Sequence, residues 1–505
     1  MLNKFKIFFL LIVLKLNILA QAPDRFIQFY NPSPNYNAES YGVVETSYGY
    51  MLSGISVDTV NSPSSYWAYT VVGVDFLGNQ LFQKRYGSEN MSFGAGWYSF
   101  DWLQKKGNIY YTTDDVLDYS TNMWTNMLIV LNEMGDTLWT KKYLGDFSDT
   151  VISSHSICKS VDNGFILTGE TYNNSSSIDK IFIMKTDSLG NKEWIKKYNY
   201  STYEGAARCI QDQSTKRIII IGGRDVSPTI SYIYITDSLG NMLHQKYFSG
   251  TFGGGLTNLK IMNDGNYVAS GYEYTGNSIS TWKLMRGLII KFDINGNLIW
   301  KKTLGKESIV NELSGLEIMN GDTIIATGQY DSLYTQGLGL NSMFQVYKIN
   351  SNGDSISRRY IDIHKDNSNQ DNFKGLALTN DGGIAMTGFF SMISAPTPFV
   401  LVKLDKWGCD TVDCQIVSVN ELNKNNFEFQ VYPNPTNDIL NITSTSNANW
   451  EYYEIIDFSG KVIATEKISS TNFSINIQQL SQGIYALRLF GINKKISVKR
   501  FSIVY

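Results

Sequence analysis

The sequence predicts an all-β protein, a seven-bladed β-propeller followed by a small C-terminal β-sandwich. Three observations predict it. An apolar run ending in Asp or Asn, then two residues and Gly, recurs at Asp75, Asn132, Asp187, Asp237, Asp293, Asn350 and Asp405. A period of roughly 55 residues marks a solenoid, propeller or array. Within each period four short apolar stretches are separated by Asn/Asp-Gly turns, the pattern of antiparallel hairpins. After residue 426 the period stops and shorter alternating strands begin.

Residues 1–22 read as a secretory signal peptide: Lys4 and Lys6, the apolar core Ile7 to Leu14, and the small-residue site Ala20-Gln21-Ala22. Lys15 interrupts the run, which is short of the ~20 residues that span a bilayer. No other segment is as apolar over such a length, so no transmembrane segment is expected in the mature chain. The formal charge of −3 becomes −6 without Lys4, Lys6 and Lys15. A mildly acidic surface offers no electrostatic attraction for nucleic acid.

Residues 23–414 are expected to form the propeller. In the third repeat, Ser156 to Ser160, a turn at Asp162-Asn163-Gly164, Phe165 to Gly169, Ile181 to Thr186, a turn at Asp187 and Glu193 to Tyr198 supply the four strands. A bulky residue follows the turn Gly by four positions (Phe82, Trp139, Trp194, His244, Trp300), and a second follows four later (Tyr86, Tyr143, Tyr198, Phe248, Leu304). These are expected to pack blade on blade, with His244 in a tryptophan's place. The seventh repeat runs from Gly408 into Cys409 instead of a fourth strand. Phe26 and Tyr30 carry the same four-residue spacing, so the mature N-terminus is expected to complete that blade and close the ring. Closure removes exposed sheet edges.

The turns between strands one and two, and three and four, are short. The segments between strands two and three (55–67, 113–124, 272–284, 329–342) and between blades (87–97, 144–154, 249–254, 361–372) read as irregular loops on the opposite face. Loops on a rigid scaffold are where binding concentrates. Trp67, Trp124, Tyr274 and Tyr334 would there stack on sugar rings or pack on a protein partner. Asp149, Glu204, Glu312 and Asp371, near the starts of first strands, would ring the channel mouth. The bland alternatives are loop packing and solvated acids.

His155, His244 and His364 share no pattern, and no HExxH, Gly-x-Ser-x-Gly or phosphate loop occurs. Asp293-Ile-Asn-Gly-Asn297 has Leu304 where a calcium loop needs Glu. No catalytic residue, metal or cofactor is assigned. A carboxylate pair for glycoside hydrolysis needs no sequence proximity. An enzyme acting on extracellular polysaccharide or peptide therefore stands beside a glycan- or protein-binding role and a purely structural one. Export permits disulfides. Cys409 and Cys414 are expected to clip the end of the propeller, whereas Cys158 and Cys209, in matching places of adjacent repeats, either pair or remain buried thiols.

Residues 415–426 read as a linker and 427–505 as the sandwich. This last segment resembles the type A sorting domain of the type IX secretion system of Bacteroidetes. The carrying residues are Val431-Tyr432-Pro433-Asn434-Pro435, Asp438-Ile-Leu440, Asp457-Phe-Ser-Gly460-Lys461, Leu480-Ser-Gln-Gly483-Ile484-Tyr485 and the basic close Lys494, Lys495, Lys499 and Arg500. The chain continues past the usual finish, from Phe501 to Tyr505. The resemblance implies the type IX machinery as partner and a secreted or outer-membrane-surface destination. The repeats are similar to those of uncharacterised propellers in the same bacteria, a likeness that implies fold and little function.

Overall fold

The computed structural model describes residues 25–504, except 34–36, 59–65, 89, 95–102, 145–149, 174–175, 199–203, 225–229, 249–252, 280–281, 306–309, 334–339, 362, 364–370, 391–395, 411–428, 445–449, 458–461 and 492–494. The described residues contain no helix. The chain divides into two compact units, residues 1–412 and 413–505.

The first unit opens with β1 (Phe26–Tyr30). Then come β2 to β5 (Ala38–Glu45, Gly49–Asp58, Tyr66–Asp75, Gln80–Tyr86) and β6 to β10 (Met91–Gly94, Gln104–Lys106, Ile109–Asp118, Met123–Leu131, Thr137–Tyr143). β11 to β14 follow (Thr150–Lys159, Phe165–Asn173, Ser176–Thr186, Lys192–Tyr198), then β15 to β18 (Glu204–Gln211, Ile218–Arg224, Ile230–Thr236, Met242–Phe248). Next are β19 to β22 (Gly254–Ile261, Tyr267–Ile279, Trp282–Phe292, Leu298–Leu304) and β23 to β26 (Val310–Met319, Thr323–Leu333, Leu340–Ile349, Ser355–Ile361). The unit ends with β27 to β29 (Asp371–Leu378, Ile384–Phe390, Phe399–Leu404). Each group is an antiparallel sheet in chain order, and the last takes β1 as its outer strand, in the order β1-β29-β28-β27. One parallel pairing, Met285 with Val310, links the fifth and sixth groups. The first strands β11, β15, β19, β23, β27 and β2 neighbour one another in that order, and blade two joins the two ends, with β7 beside β2 and β8 beside β11. They therefore surround the axis of a closed propeller.

Buried Ile, Val, Leu, Tyr and Phe from facing sheets form a separate apolar cluster at each junction, as where Ile166, Ile183, Ile220 and Tyr232 meet. At the outer rim a second device recurs. All seven turn glycines, from Gly78 (φ +85°) to Gly408 (φ +78°), lie in the left-handed region, which costs Gly little. A Cβ at Gly135 would come within 3.0 Å of Phe82, at Gly190 within 2.7 Å of Trp139 and at Gly240 within 2.9 Å of Trp194. The carbonyl of the same turn accepts a tyrosine hydroxyl from the preceding blade: Tyr143 on Gly190 (2.7 Å), Tyr198 on Gly240 (2.5 Å) and Tyr86 on Gly135. β1 repeats both contacts. Tyr30 donates to Gly78 at 2.8 Å and Phe26 lies against Gly78, while Arg25 pairs with Asp405 at 3.1 Å. His244 does not reproduce the aromatic seat, because Lys246 is the side chain that meets Gly296.

A third device governs the axis. First strands β2, β11, β15, β19, β23 and β27 bulge at Tyr41, His155, Ala207, Thr257, Ser314 and Lys374. The residue before each bulge pairs with a glycine of the second strand: Gly54, Gly169, Gly222, Gly271, Gly328 and Gly388. The kink drives a carbonyl into that glycine; a Cβ at Gly328 would lie 1.8 Å from the Glu312 oxygen. Bulges re-aim side chains, and here they turn polar groups toward neighbouring blades. Thr257 Oγ1 donates to Leu313 O (2.7 Å), Ser314 Oγ to Phe373 O (2.5 Å) and Arg208 Nη2 to Asn258 Oδ1 (2.8 Å).

Among the described residues, the segments between second and third strands expected to be irregular loops are mostly strand. β8 runs to Asp118, β20 to Ile279 and β24 to Leu333. Their β-branched and aromatic residues keep the ladder going beyond the body of the sheet. The second repeat also departs from expectation, because its first strand is divided into β6 and β7, both paired to β8.

The second unit comprises β30 to β36 (Phe429–Tyr432, Ile439–Ser444, Trp450–Ile456, Val462–Lys467, Asn472–Asn476, Gly483–Gly491, Lys495–Ile503). Sheets β30-β31-β34 and β33-β32-β35-β36 enclose Phe429, Leu440, Ile455, Leu487 and Phe501.

Gly328→Ala tests the bulge rule. A Cβ pressed on backbone forces the strand to move, at a cost of about 3 kcal/mol or more, and urea unfolding of the variant is expected to show a lower midpoint.

Candidate functional site

Blade two is the exception on the axis. Tyr110 pairs with Leu131 just before its turn, as Phe165 pairs with Thr186 in blade three. Asp114 therefore occupies the position that is Gly169 in the next blade. It puts a buried side chain where the six other blades have glycine. Asp114 is 1% exposed, and its Oδ2 has no hydrogen-bond partner. Burial, then the neighbouring Asp115 carboxylate, pushes its carboxyl well above the usual range.

Asp115 points the other way, to blade three. It accepts from the Ser154 N–H (3.2 Å), Asn126 Nδ2 (3.2 Å) and the Ser153 hydroxyl. Burial outweighs these bonds and raises its carboxyl to about 6. Ser153 Oγ also lies 3.1 Å from His155 Nε2, and His155 Nδ1 lies 3.6 Å from Glu170 Oε1. Serine, histidine and carboxylate thus occur in the order of a nucleophilic relay. Here, however, the Ser153 proton goes to Asp115 rather than to His155, and both Ser153 and His155 are buried. The cluster lies inside the blade two–blade three seam, with the Ser153 hydroxyl donated to the Asp115 carboxylate.

Polar groups continue around the axis. Tyr41 donates to Glu39, whose carboxyl is raised by burial. Lys374 is buried, which lowers its pKa against the pull of the Glu312 and Glu39 carboxylates. Of the four acids expected at the channel mouth, Glu312 is thus placed near a lysine. Glu204 and Asp371 open β15 and β27 with side chains outside the described ones, and Asp149 lies outside the described residues. The sequence did signal the blade two cluster: Asp114 stands where the repeat has Gly.

The aromatic residues divide. Trp67 is half-buried against the core between blades one and two. Trp124, 40% exposed, lies across Gly94 at the tip of the β8–β9 hairpin, beside exposed Tyr119 and Met123. Tyr274 is on strand β20, ring to ring with Tyr272 at 5.3 Å. Tyr334 lies outside the described residues. Sequence reading missed Tyr360 and Arg358. The Arg358 guanidinium sits 4.2 Å from the Tyr360 ring centre, 5.3 Å from Tyr347 and 5.6 Å from Tyr330. Tyr330 and Tyr360 meet edge to face at 4.7 Å. Among the described residues no carboxylate pairs with Arg358, and its Nε and Nη2 are buried without an acceptor. β24 ends, and β26 ends, on the same face as the long hairpins, so this cluster and Trp124 share it.

In the second unit, Asn434 ties its proline-rich turn to the last strand. Its Oδ1 accepts from the Ser502 N–H (2.9 Å) and hydroxyl (3.1 Å), and its Nδ2 donates to Arg500 O (3.2 Å). The peptides before Pro433 and Pro435 are both cis. Tyr432 is exposed and receives the Thr443 hydroxyl (3.1 Å). Asp438 O accepts the Ile477 N–H (2.8 Å). Gly483 starts β35, and Tyr485 stacks on Phe501 at 5.7 Å while donating to Ser481 O (2.7 Å). Lys499 is half-buried on β36; Gly460 and Lys494 lie outside the described residues. The residues past the usual finish are structural, since Phe501 and Ile503 are fully buried. Cys409 is buried with its N–H on Asp405 Oδ1 (2.9 Å). Cys414 lies outside the described residues, so the expected clip between them remains an expectation.

Residues 430–503 match the family described as the secretion system C-terminal sorting domain. This end of the chain is a type IX sorting domain, which marks the protein for export to the cell surface or medium. No curated protein matches the chain. Among solved structures, the β-propeller domain of the Trilobed protease from Pyrococcus furiosus is similar at 10% identity and TM-score 0.34, covering 74% of this chain and 96% of that one. The periplasmic gluconolactonase of Pseudomonas aeruginosa is similar at 8% identity and TM-score 0.38 (75% and 97%), and Trypanosoma rangeli sialidase at 9% and 0.40 (73% and 55%). These likenesses assign no activity.

Two outcomes are expected. Asp115 has a folded pKa of about 6, above the ~3.9 of an unfolded aspartate. Between those values the folded chain holds a proton that the unfolded chain has released, so stability falls as pH rises. Asp115→Asn is expected to gain stability relative to the parent from pH ~4 to ~6 and level off above, read by chemical denaturation at each pH. Asn434→Ala removes three bonds to β36, worth about 1 kcal/mol each. Cell fractionation is expected to show less exported protein and more retained or degraded chain.

Proposed function

We propose that this exported propeller binds an extracellular glycan that carries acidic groups, through the face from which its long hairpins project. The carrying observation is the Tyr330–Tyr360–Arg358 cluster. Tyr360 is 42% exposed, and the guanidinium lying on its ring has no carboxylate partner among the described residues. Sugar C–H faces stack on tyrosine rings, which supply large rigid area at low entropic cost. With Nε and Nη2 buried, Arg358 would favour a carboxylate or sulfate on the sugar through its fixed positive charge rather than through a paired N–H fork. Trp124 and Tyr119 add apolar surface at a second hairpin on the same face.

The propeller with its sorting domain, titrated calorimetrically with an oligogalacturonate and with a neutral cello-oligosaccharide, is expected to prefer the acidic chain. Arg358→Gln should weaken that binding about tenfold, equal to ~1.4 kcal/mol, and leave any neutral binding unchanged. Tyr360→Ala should weaken both. Equal affinity of parent and Arg358→Gln for the acidic chain, or no binding to either chain, defeats the reading.

A further inference from the structure

Cys158 on β11 and Cys209 on β15 belong to the first strands of neighbouring blades, 51 positions apart in sequence. Their sulfurs lie 3.5 Å from each other. The seam holds them there: the Cys209 N–H donates to Ser156 Oγ at 3.0 Å, and the Cys209 sulfur lies 3.7 Å from Ser156 Oγ and from Ile166 O. Around them are Ile166, Ile183, Ile218, Ile220 and Tyr232. A disulfide needs sulfurs about 2.05 Å apart, so the gap closes by a shift of roughly 1.5 Å shared between two side chains, without moving a blade. The sorting domain takes the chain through compartments in which disulfides form and persist.

We propose that the exported protein carries a Cys158–Cys209 disulfide that joins blades three and four at the axis. Two thiols lose two protons and two electrons, and one S–S bond forms. The electrons pass to a periplasmic oxidant that bears a reactive disulfide, which leaves as a dithiol. A thiolate of one cysteine attacks that oxidant and the second displaces it from the mixed disulfide. Cys209 is 1% exposed in the finished propeller. The exchange therefore takes place while blades three and four are closing, before the chain is passed outward. Crosslinking across so many residues restricts the unfolded chain, which adds to the packing and to the hydrogen bonds from Tyr198, Cys209 and Val161 that already hold this seam.

The test uses the full chain recovered from the surface or medium of a type IX-competent host. It is unfolded with an alkylating agent and no reductant, then digested and mass-mapped. The expected result is one linked peptide pair containing Cys158 and Cys209, unalkylated and about 2 Da lighter than the separate thiol peptides. Reductant should lower Tm by roughly 5 °C. The double variant Cys158→Ser, Cys209→Ser should melt lower than the oxidised parent and lose this response, which separates the bridge from any bond involving Cys409 or Cys414. Alkylation of both cysteines in the exported chain, or linkage of either to another partner, overturns the proposal.

Discussion

The propeller depends on one repeated contact at its rim. The turn between the third and fourth strands of a blade must put glycine in the left-handed region, and the missing side chain leaves a seat. The aromatic residue of the preceding blade fills that seat, and a tyrosine hydroxyl bonds the exposed carbonyl of the same turn. A conformational requirement of the turn is thus also the docking point between sheets. Each hydrogen bond contributes about 1 kcal/mol, a small sum beside the apolar burial between blades. Its value lies in register: it fixes where along its neighbour each sheet sits. Tyr30 and Phe26 make the same contact to Gly78, so the first strand of the chain behaves as the outer strand of the last blade.

The axis obeys a different rule. First strands carry buried apolar residues such as Leu256, Leu313 and Phe373, and beside them the backbone is kinked. Bulges opposite glycines bring backbone close and aim polar groups sideways, and hydrogen bonds between blades join the apolar packing. Blade two breaks the pairing of bulge and glycine, and buried carboxyl groups occupy the space. Asp114 and Asp115 face opposite seams because successive strand residues alternate. One faces the tyrosines of blade one, and the other the Ser153–His155 pair of blade three.

The two units divide the work. The sorting domain is a self-contained sandwich whose signature residues are largely structural: Asn434 fastens the turn to β36, Tyr485 covers Phe501, and the terminal residues fill the core. In the propeller, Trp124, Tyr330 and Tyr360 stand on strands β9, β24 and β26, and Tyr119 lies in the turn before β9.

Local chemistry was legible in the sequence. Glycines spaced by the period, Asp and Asn at turns, alternating apolar runs, the Phe26–Tyr30 spacing and the proline-rich motif of the sorting domain all report short-range geometry, and geometry of that range is written in adjacent residues. The sequence also held the anomaly of Asp114 in a glycine's place, although its meaning required the strand opposite. Only tertiary structure decided which residues share a seam. Arg358 and Tyr360 meet Tyr330 across three strands, Ser153 and His155 meet Asp115 from another blade, and two cysteines converge from consecutive repeats. Such meetings depend on sheet register and blade stacking, which bring together positions tens of residues apart; the repeat period aligned the two cysteines, and register decided that their sulfurs meet.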